Sequence, residues 1–193
     1  KLSTQFESGE LRPLPLRTFP IAQAIDAFRF MSQAKHVGKI VLDQQAAAAV
    51  RPDGTYLVTG GLGGLGLATA RGLAEQGARH LVLLGRSEPS AAAETELAHL
   101  RADGVTVLTA QADVAVAADV QRVLDQIAAE MPPLRGIIHA AGVLADGRLT
   151  NQSWAQFATV MAPKILGTQH LDRLTRGRPL DFFVCFSAGA ALL

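Results

Sequence analysis

Five glycines fall between Gly60 and Gly66 in the stretch TGGLGGLG, and Gly61, Gly63 and Gly66 take the spacing G-x-G-x-x-G. Residues without Cβ let a loop turn sharply and let backbone N–H groups approach a pyrophosphate. The spacing alone is a weak signal, but here a β-like run precedes it, and a helical stretch and a second apolar run follow. A helix N-terminus at that point adds a favourable dipole for an anion. The alternative is a glycine turn that merely packs a helix on a strand. One strand later the chain reads LLGRS. Sites that select NAD usually place Asp or Glu there for the ribose 2′-hydroxyl. Gly85, Arg86 and Ser87 stand there instead, and a guanidinium suits a 2′-phosphate through charge and paired donors. An exposed arginine without function is the alternative. On the first reading the cofactor is NADPH.

Such a loop has to be held by a strand before it and a helix after it. Tyr56 to Thr59 reads as a strand, Leu65 to Gln76 as a helix and His80 to Leu84 as a continuous apolar strand. Ala91 to Asp103 is helical behind a Ser90 cap, Val105 to Ala110 a strand and Val116 to Ala129 a helix. Gly136 to Ala140 is a strand, Trp154 to Arg176 one long or broken helix, and Phe182 to Phe186 a strand again. Apolar strands alternating with helices imply a parallel sheet covered on both faces. The fold class is α/β, a Rossmann-like doubly wound sheet with strand order 3-2-1-4-5.

Residues 1–43 read differently. A proline-punctuated, extended start leads into a helix over Ile21 to Ala34, with Ile21, Ile25, Phe28 and Met31 at helical spacing, and then a short strand from Lys39 to Leu42. One helix and one strand cannot bury a core, so this piece must pack on something else. Residues 44–54 are small, polar and turn-terminated, which fits a linker, although the alanines could also form a short helix.

Composition narrows the classes. The 193 residues are 49% hydrophobic and 18% charged, which supports a packed core. A net charge of +1 gives no electrostatic reason to expect nucleic acid or an anionic membrane. Cys185 is the only cysteine and the five histidines lack ligand spacing, so no metal site is expected. No apolar run approaches the ~20 residues of a membrane span, the start lacks a signal-peptide core, and the expected location is cytoplasmic.

With TGGLGGLG, LLGRS, ADV and GIIHAAGVLADG in this order, residues 55–193 resemble the ketoreductase domains of type I polyketide synthases, with animal-type fatty acid synthases as near relatives. GELRPLPLRTFPIAQAIDAFRFMSQAKHVGKIVL looks like the C-terminal end of the enoylreductase domain of the same megasynthases, a medium-chain reductase-like remnant. The resemblance implies a short-chain-dehydrogenase fold and NADPH-dependent reduction of a β-ketoacyl chain on an acyl carrier protein. It also implies neighbouring synthase domains and a homodimer formed through the parent synthase. Thr59, Gly61, Leu62, Gly63, Leu65, Gly66, Arg86 and Ser87 would hold the cofactor. Asp113 and Val114 of ADV would border the adenine, unless Asp113 caps a helix, and Ala140, Ala141 and Gly142 would line the ribose.

In PKILGTQHL the family's lysine corresponds to Lys164, whose charge would lower a tyrosine pKa or hold the substrate oxygen. The family's FSS is FSA here: Ser187 is present, and Ala188 stands at the position of the catalytic serine. Adjacent strand residues face opposite ways, so substitution by Ser187 would need a twist or bulge. The family's tyrosine would lie beyond Leu193, so this polypeptide alone is not expected to catalyse reduction. In GVLADG, Leu144 and Asp146 match the loop of the class that sets a D-type 3-hydroxyl (B-type), although Asp146 could simply close a turn before Gly147. Cys185 reads as a buried small hydrophobe, Trp154 as core and His139 as structural. Two other readings remain, a non-catalytic nucleotide-binding scaffold and a free-standing short-chain dehydrogenase acting on a small metabolite.

Overall fold

Within the proline-punctuated start of the chain, Leu16–Pro20 (β1) is a paired strand and not only extended backbone. The structure, a computed structural model, describes residues 12, 14–34, 36–43 and 50–187. The chain divides into two compact units, Lys1–Ala48 and Ala49–Leu193. In the first, a 3-10 turn over Ile21–Gln23 leads into helix α1, Ala24–Ser32, and the helix returns the chain to Lys39–Asp43 (β2), which pairs with β1 in parallel. Phe19 and Phe30 meet with ring centroids 5.9 Å apart, and the Arg17 guanidinium carbon lies 4.1 Å from the Phe30 centroid. Phe19 and Ala27 are buried, while Ile21, Ile25, Phe28 and Met31 are exposed. Residues 44–49 of the expected linker lie outside the described residues.

In the second unit the alternation of short apolar runs and helices is realised in full. Thr55–Thr59 (β3), Gly64–Glu75 (α2), His80–Gly85 (β4), Ala91–Ala102 (α3), Thr106–Gln111 (β5), Ala117–Glu130 (α4), Leu134–His139 (β6), Trp154–Thr175 (α5) and Phe182–Cys185 (β7) follow in order. Their parallel sheet has the order β5-β4-β3-β6-β7, which is the expected 3-2-1-4-5. Successive strand residues face opposite ways, so β3 and β4 feed two cores. Leu57, Val82 and Leu84 pack with Val123, Leu124 and Ile127 of α4 and Leu171 of α5. Tyr56, Val58, Leu81 and Leu83 pack with Ala70 and Leu73 of α2 and Leu97 and Leu100 of α3. Helices thus cover both faces, and β3 at the centre is buried along its whole length.

Two expectations about the core fail. Cys185 is exposed, because it lies on β7, a strand whose sole neighbour among the described residues is β6. Trp154 is 77% exposed. It opens α5 inside the Ser153–Gln156 capping box, whereas the buried residues of that helix, Pro163, Gly167, Leu171 and Thr175, repeat every fourth position further along. Among the described residues no helix is long and apolar enough to cross a membrane.

Candidate active site: a glycine-loop groove with a lysine at its edge

The glycine loop joins the end of β3 to the start of α2, and its three motif glycines answer different demands. A Cβ on Gly61 would stand 2.6 Å from the Val58 carbonyl oxygen and 2.9 Å from Leu83 Cα. A Cβ on Gly66 would stand 2.1 Å from the Gly60 carbonyl oxygen. Both glycines are therefore required by the protein's own packing. Gly63 differs: the nearest atom to its Cβ would be the Gly60 oxygen at an ordinary 3.5 Å. Gly63 is exposed, its backbone is extended, and it opens α2. Space that the protein leaves empty beside a helix N-terminus suits an anionic group. Gly60 turns the chain with φ +67°, in the left-handed region that favours glycine.

A groove of about 620 Å³ follows the loop, lined among others by Gly63, Leu65, Arg86, Ser87, Ala140 and Gly142. That volume is in the range of small-molecule and cofactor sites. A second cavity beside it is lined by Arg86, Asp113, Val114, Ala141, Gly142 and Pro163. Leu62 touches both the groove and Gly85, where a Cβ would come within 2.8 Å of the Leu62 Cδ1. Arg86 is exposed at the rim, and its backbone carbonyl accepts a 3.0 Å hydrogen bond from Gln111 Nε2. Asp113 does not cap α4, whose cap position is Val116. Its carboxylate instead accepts from the Ala115 N–H at 2.9 Å, a local turn that leaves Asp113 and Val114 in the cavity wall.

Thr59, expected at the cofactor, lies beneath the groove. It is fully buried, and its hydroxyl accepts from the Ala141 N–H at 3.2 Å and meets His139 Nδ1 at 2.6 Å. The other ring nitrogen, Nε2, lies 2.9 Å from the Pro163 carbonyl. A carbonyl can only accept, so Nε2 carries the proton and Nδ1 accepts from the Thr59 hydroxyl. Burial holds His139 below its ordinary pKa of 6.5; the Pro163 bond opposes this and the Lys164 charge adds to it.

Lys164 follows Pro163 on α5. Its Nζ donates to the Phe186 carbonyl at 2.9 Å, and its Cε would lie 3.3 Å from a Cβ on Gly142. The lysine and the cofactor-side loop thus meet at the carboxyl ends of β6 and β7, where ligands of doubly wound sheets bind. Ser187 is exposed and lies beyond the end of β7, and Ala188 is outside the described residues. Tyr56, the chain's one tyrosine, is fully buried near the opposite end of the sheet, with its hydroxyl bonded to the backbone of Arg51. It is not a proton donor for this site. Leu144 and Asp146 are exposed along a third cavity shared with Gln156, Phe157 and Val160, and Gln152 Nε2 holds the loop by donating to the Ala145 carbonyl at 2.8 Å. Gln152 and Gln111 each grip a backbone carbonyl and Pro163 offers one to His139, contacts that no local pattern in the sequence marks.

Residues 54–193 match the family described as KR domain. The chain belongs to that family. Ahead of this ketoreductase domain, residues 1–42 match a second family, zinc-binding dehydrogenase. The ketoreductase chain is 46% identical over 191 residues to the spectinabilin polyketide synthase system protein NorB of Streptomyces orinoci, covering 97% of this chain and 9% of that protein. It is 39% identical to a mycocerosic acid synthase-like polyketide synthase of Mycobacterium tuberculosis, covering 94% of this chain and 9% of that protein. The chain thus spans about a tenth of the length of these curated relatives. Among solved structures, a ketoreductase domain from the bacillaene assembly line aligns with TM-score 0.71 and 39% identity, over 74% of this chain and 34% of that one. A structure of A-type ketoreductases from a modular polyketide synthase aligns with TM-score 0.67 and 40% identity, over 75% of this chain and 30% of that one.

Proposed function

We propose that this chain is the NADPH-binding part of a β-ketoacyl reductase within a polyketide synthase, acting on a β-ketoacyl chain carried by an acyl carrier protein. The observation that carries the reading is the meeting of the glycine-loop groove with Lys164 at Gly142 and Phe186. Gly63 and the α2 N-terminus would take the pyrophosphate, Arg86 and Ser87 the 2′-phosphate, Asp113 and Val114 the adenine side, and Ala140 to Gly142 the ribose. Bound there, NADPH supplies the hydride for reduction of a ketone. Lys164 presents an ammonium where negative charge would develop on the ketone oxygen, a form of stabilisation that is strong in a site closed to water. The product is a 3-hydroxyacyl chain of D configuration, on the strength of Leu144 and Asp146. The synthase reading carries with it neighbouring domains, a homodimer formed through the parent and a cytoplasmic location.

Ala188 favours a second reading, a nucleotide-binding scaffold without catalysis, because a methyl cannot donate to an oxyanion. The zinc-binding dehydrogenase match and the synthase relatives speak against a free-standing dehydrogenase. Both live readings are tested in the full-length synthase with a β-ketoacyl thioester and NADPH, alongside Ala188→Ser. Reductase activity that falls in Lys164→Met supports the enzyme. No turnover in the parent, with a gain on Ala188→Ser of about the 10²–10³-fold value of one oxyanion donor, supports the scaffold.

A further inference from the structure

Proline inside a helix removes one backbone hydrogen bond and crowds the preceding turn. Pro163 stands in α5 one residue before Lys164 and leaves the carbonyl four residues back, that of Thr159, without its helix donor. The Pro163 carbonyl itself is held from outside the helix: His139 donates its Nε2–H to it at 2.9 Å. The His139 backbone carbonyl accepts from the Phe186 N–H at 2.9 Å, and the Phe186 carbonyl accepts from Lys164 Nζ at 2.9 Å. The four residues close a ring that ties the ends of β6 and β7 to one turn of α5. Gly167, one turn on, lets the helix lie this close: a Cβ there would stand 3.1 Å from His139 Cε1 and 2.9 Å from Val114 Cγ2. The other edge of the imidazole serves the cofactor side, through the Thr59 hydroxyl to the Ala141 N–H.

We propose that His139 is a positioning residue with two separable tasks: Nε2 sets the reach of Lys164 through Pro163, and Nδ1 sets the Ala141 wall of the groove through Thr59. A same-sized apolar side chain would leave the Thr59 hydroxyl without its acceptor and Pro163 without its outside donor. Protonated, the ring would turn a second N–H onto the Thr59 oxygen, and the hydroxyl proton would lose the nitrogen it now reaches. The inference deepens the reading above, resting on Lys164 as the cation of the site.

The test uses the full-length synthase carrying His139→Asn or His139→Gln. The asparagine amide reaches the place of Nδ1 and can still accept from Thr59, whereas the glutamine amide reaches the place of Nε2 and can still donate to Pro163. Two quantities are read: the rate of reductive methylation of Lys164, followed by peptide mass spectrometry with Lys39 as internal reference, and the dissociation constant of NADPH, followed by fluorescence. His139→Asn is expected to speed Lys164 labelling roughly fivefold, the worth of one buried hydrogen bond, and to leave NADPH affinity within about twofold. His139→Gln is expected to do the reverse, with NADPH weakened roughly fivefold and labelling within about twofold. Should either variant fail to fold, Thr59→Val carries the same test, because it breaks the Nδ1 side alone: NADPH weakens and labelling stays. Variants that move both readouts alike, or neither, overturn the proposal. Lys164 labelling needs no turnover, so the positioning can fail while reduction is observed, and a parent that forms no product can still show it.

Discussion

His139 and Thr59 stand 80 positions apart in the chain, and their side chains meet at 2.6 Å beneath the glycine-loop groove. The contact joins the carboxyl ends of adjacent strands and makes a buried imidazole part of the groove's foundation. Buried polar groups in a low-dielectric setting are costly unless every donor and acceptor is met. Here the Ala141 N–H, the Thr59 hydroxyl, both ring nitrogens and the Pro163 carbonyl are all paired.

The stability of this domain should therefore depend on pH in a stated direction. Burial lowers the pKa of folded His139, and the unfolded residue titrates near 6.5. Between the two values the unfolded chain binds more protons, so stability is lost as pH falls below about 6.5 toward the folded value. Thermal unfolding of the parent and of His139→Gln, followed from about pH 7.5 down to 5.5, checks this, and the part of the slope due to His139 should vanish in the variant. Identical slopes would show that His139 is not a source of the pH dependence.

Two glycine substitutions should separate binding from folding. Gly66→Ala places a methyl 2.1 Å from a backbone oxygen, so it should lower stability by about 1–3 kcal/mol or more. Gly63→Ala meets no close protein atom and has an extended backbone that alanine adopts. It should leave stability within about 0.5 kcal/mol, while NADPH binding weakens at least tenfold. Thermal melts and cofactor titrations of both variants measure the contrast. A Gly63→Ala protein that binds NADPH normally would remove the pyrophosphate from this loop.

Arg86 is exposed at the groove rim, which it shares with Ser87 and Glu88 after the end of β4. Arg86→Ala should weaken NADPH by roughly the 1.5–3 kcal/mol of a charged hydrogen bond and barely change NADH. Titration of both cofactors into the intact synthase decides the matter. Equal losses would break the assignment to the 2′-phosphate.

The configuration of the product should depend on the Leu144–Asp146 loop, whose third cavity runs alongside the start of α5. Each 1.4 kcal/mol between competing transition states is tenfold in product ratio, so a modest shift of the loop is enough. Chiral analysis of the hydroxyacyl product of the parent synthase should give predominantly the D form. Asp146→Ala should erode the D excess, and an unchanged excess would leave Asp146 as a turn residue. Predominantly L product would overturn the reading of the loop.

Much of this was open to a reader of the residues alone. Strand and helix periods are local properties, so TYLVT, HLVLLG and LRGIIH declare buried strands, and handedness rules then order them around β3. The glycine spacing and Arg86 carry the expectation of a cofactor for the same reason, because a loop and the next strand end suffice to frame it. Tertiary structure decided what depends on distant partners. Thr59 lies under the groove because β3 is central and β6 supplies His139 beside it. Lys164 reaches Phe186 from a turn of α5 whose Pro163 carbonyl meets His139, 24 positions earlier in the chain. Cys185 and Trp154, apolar by composition, are exposed because burial follows from which neighbours a strand or helix turn acquires, and a side chain's own hydrophobicity carries no record of its neighbours.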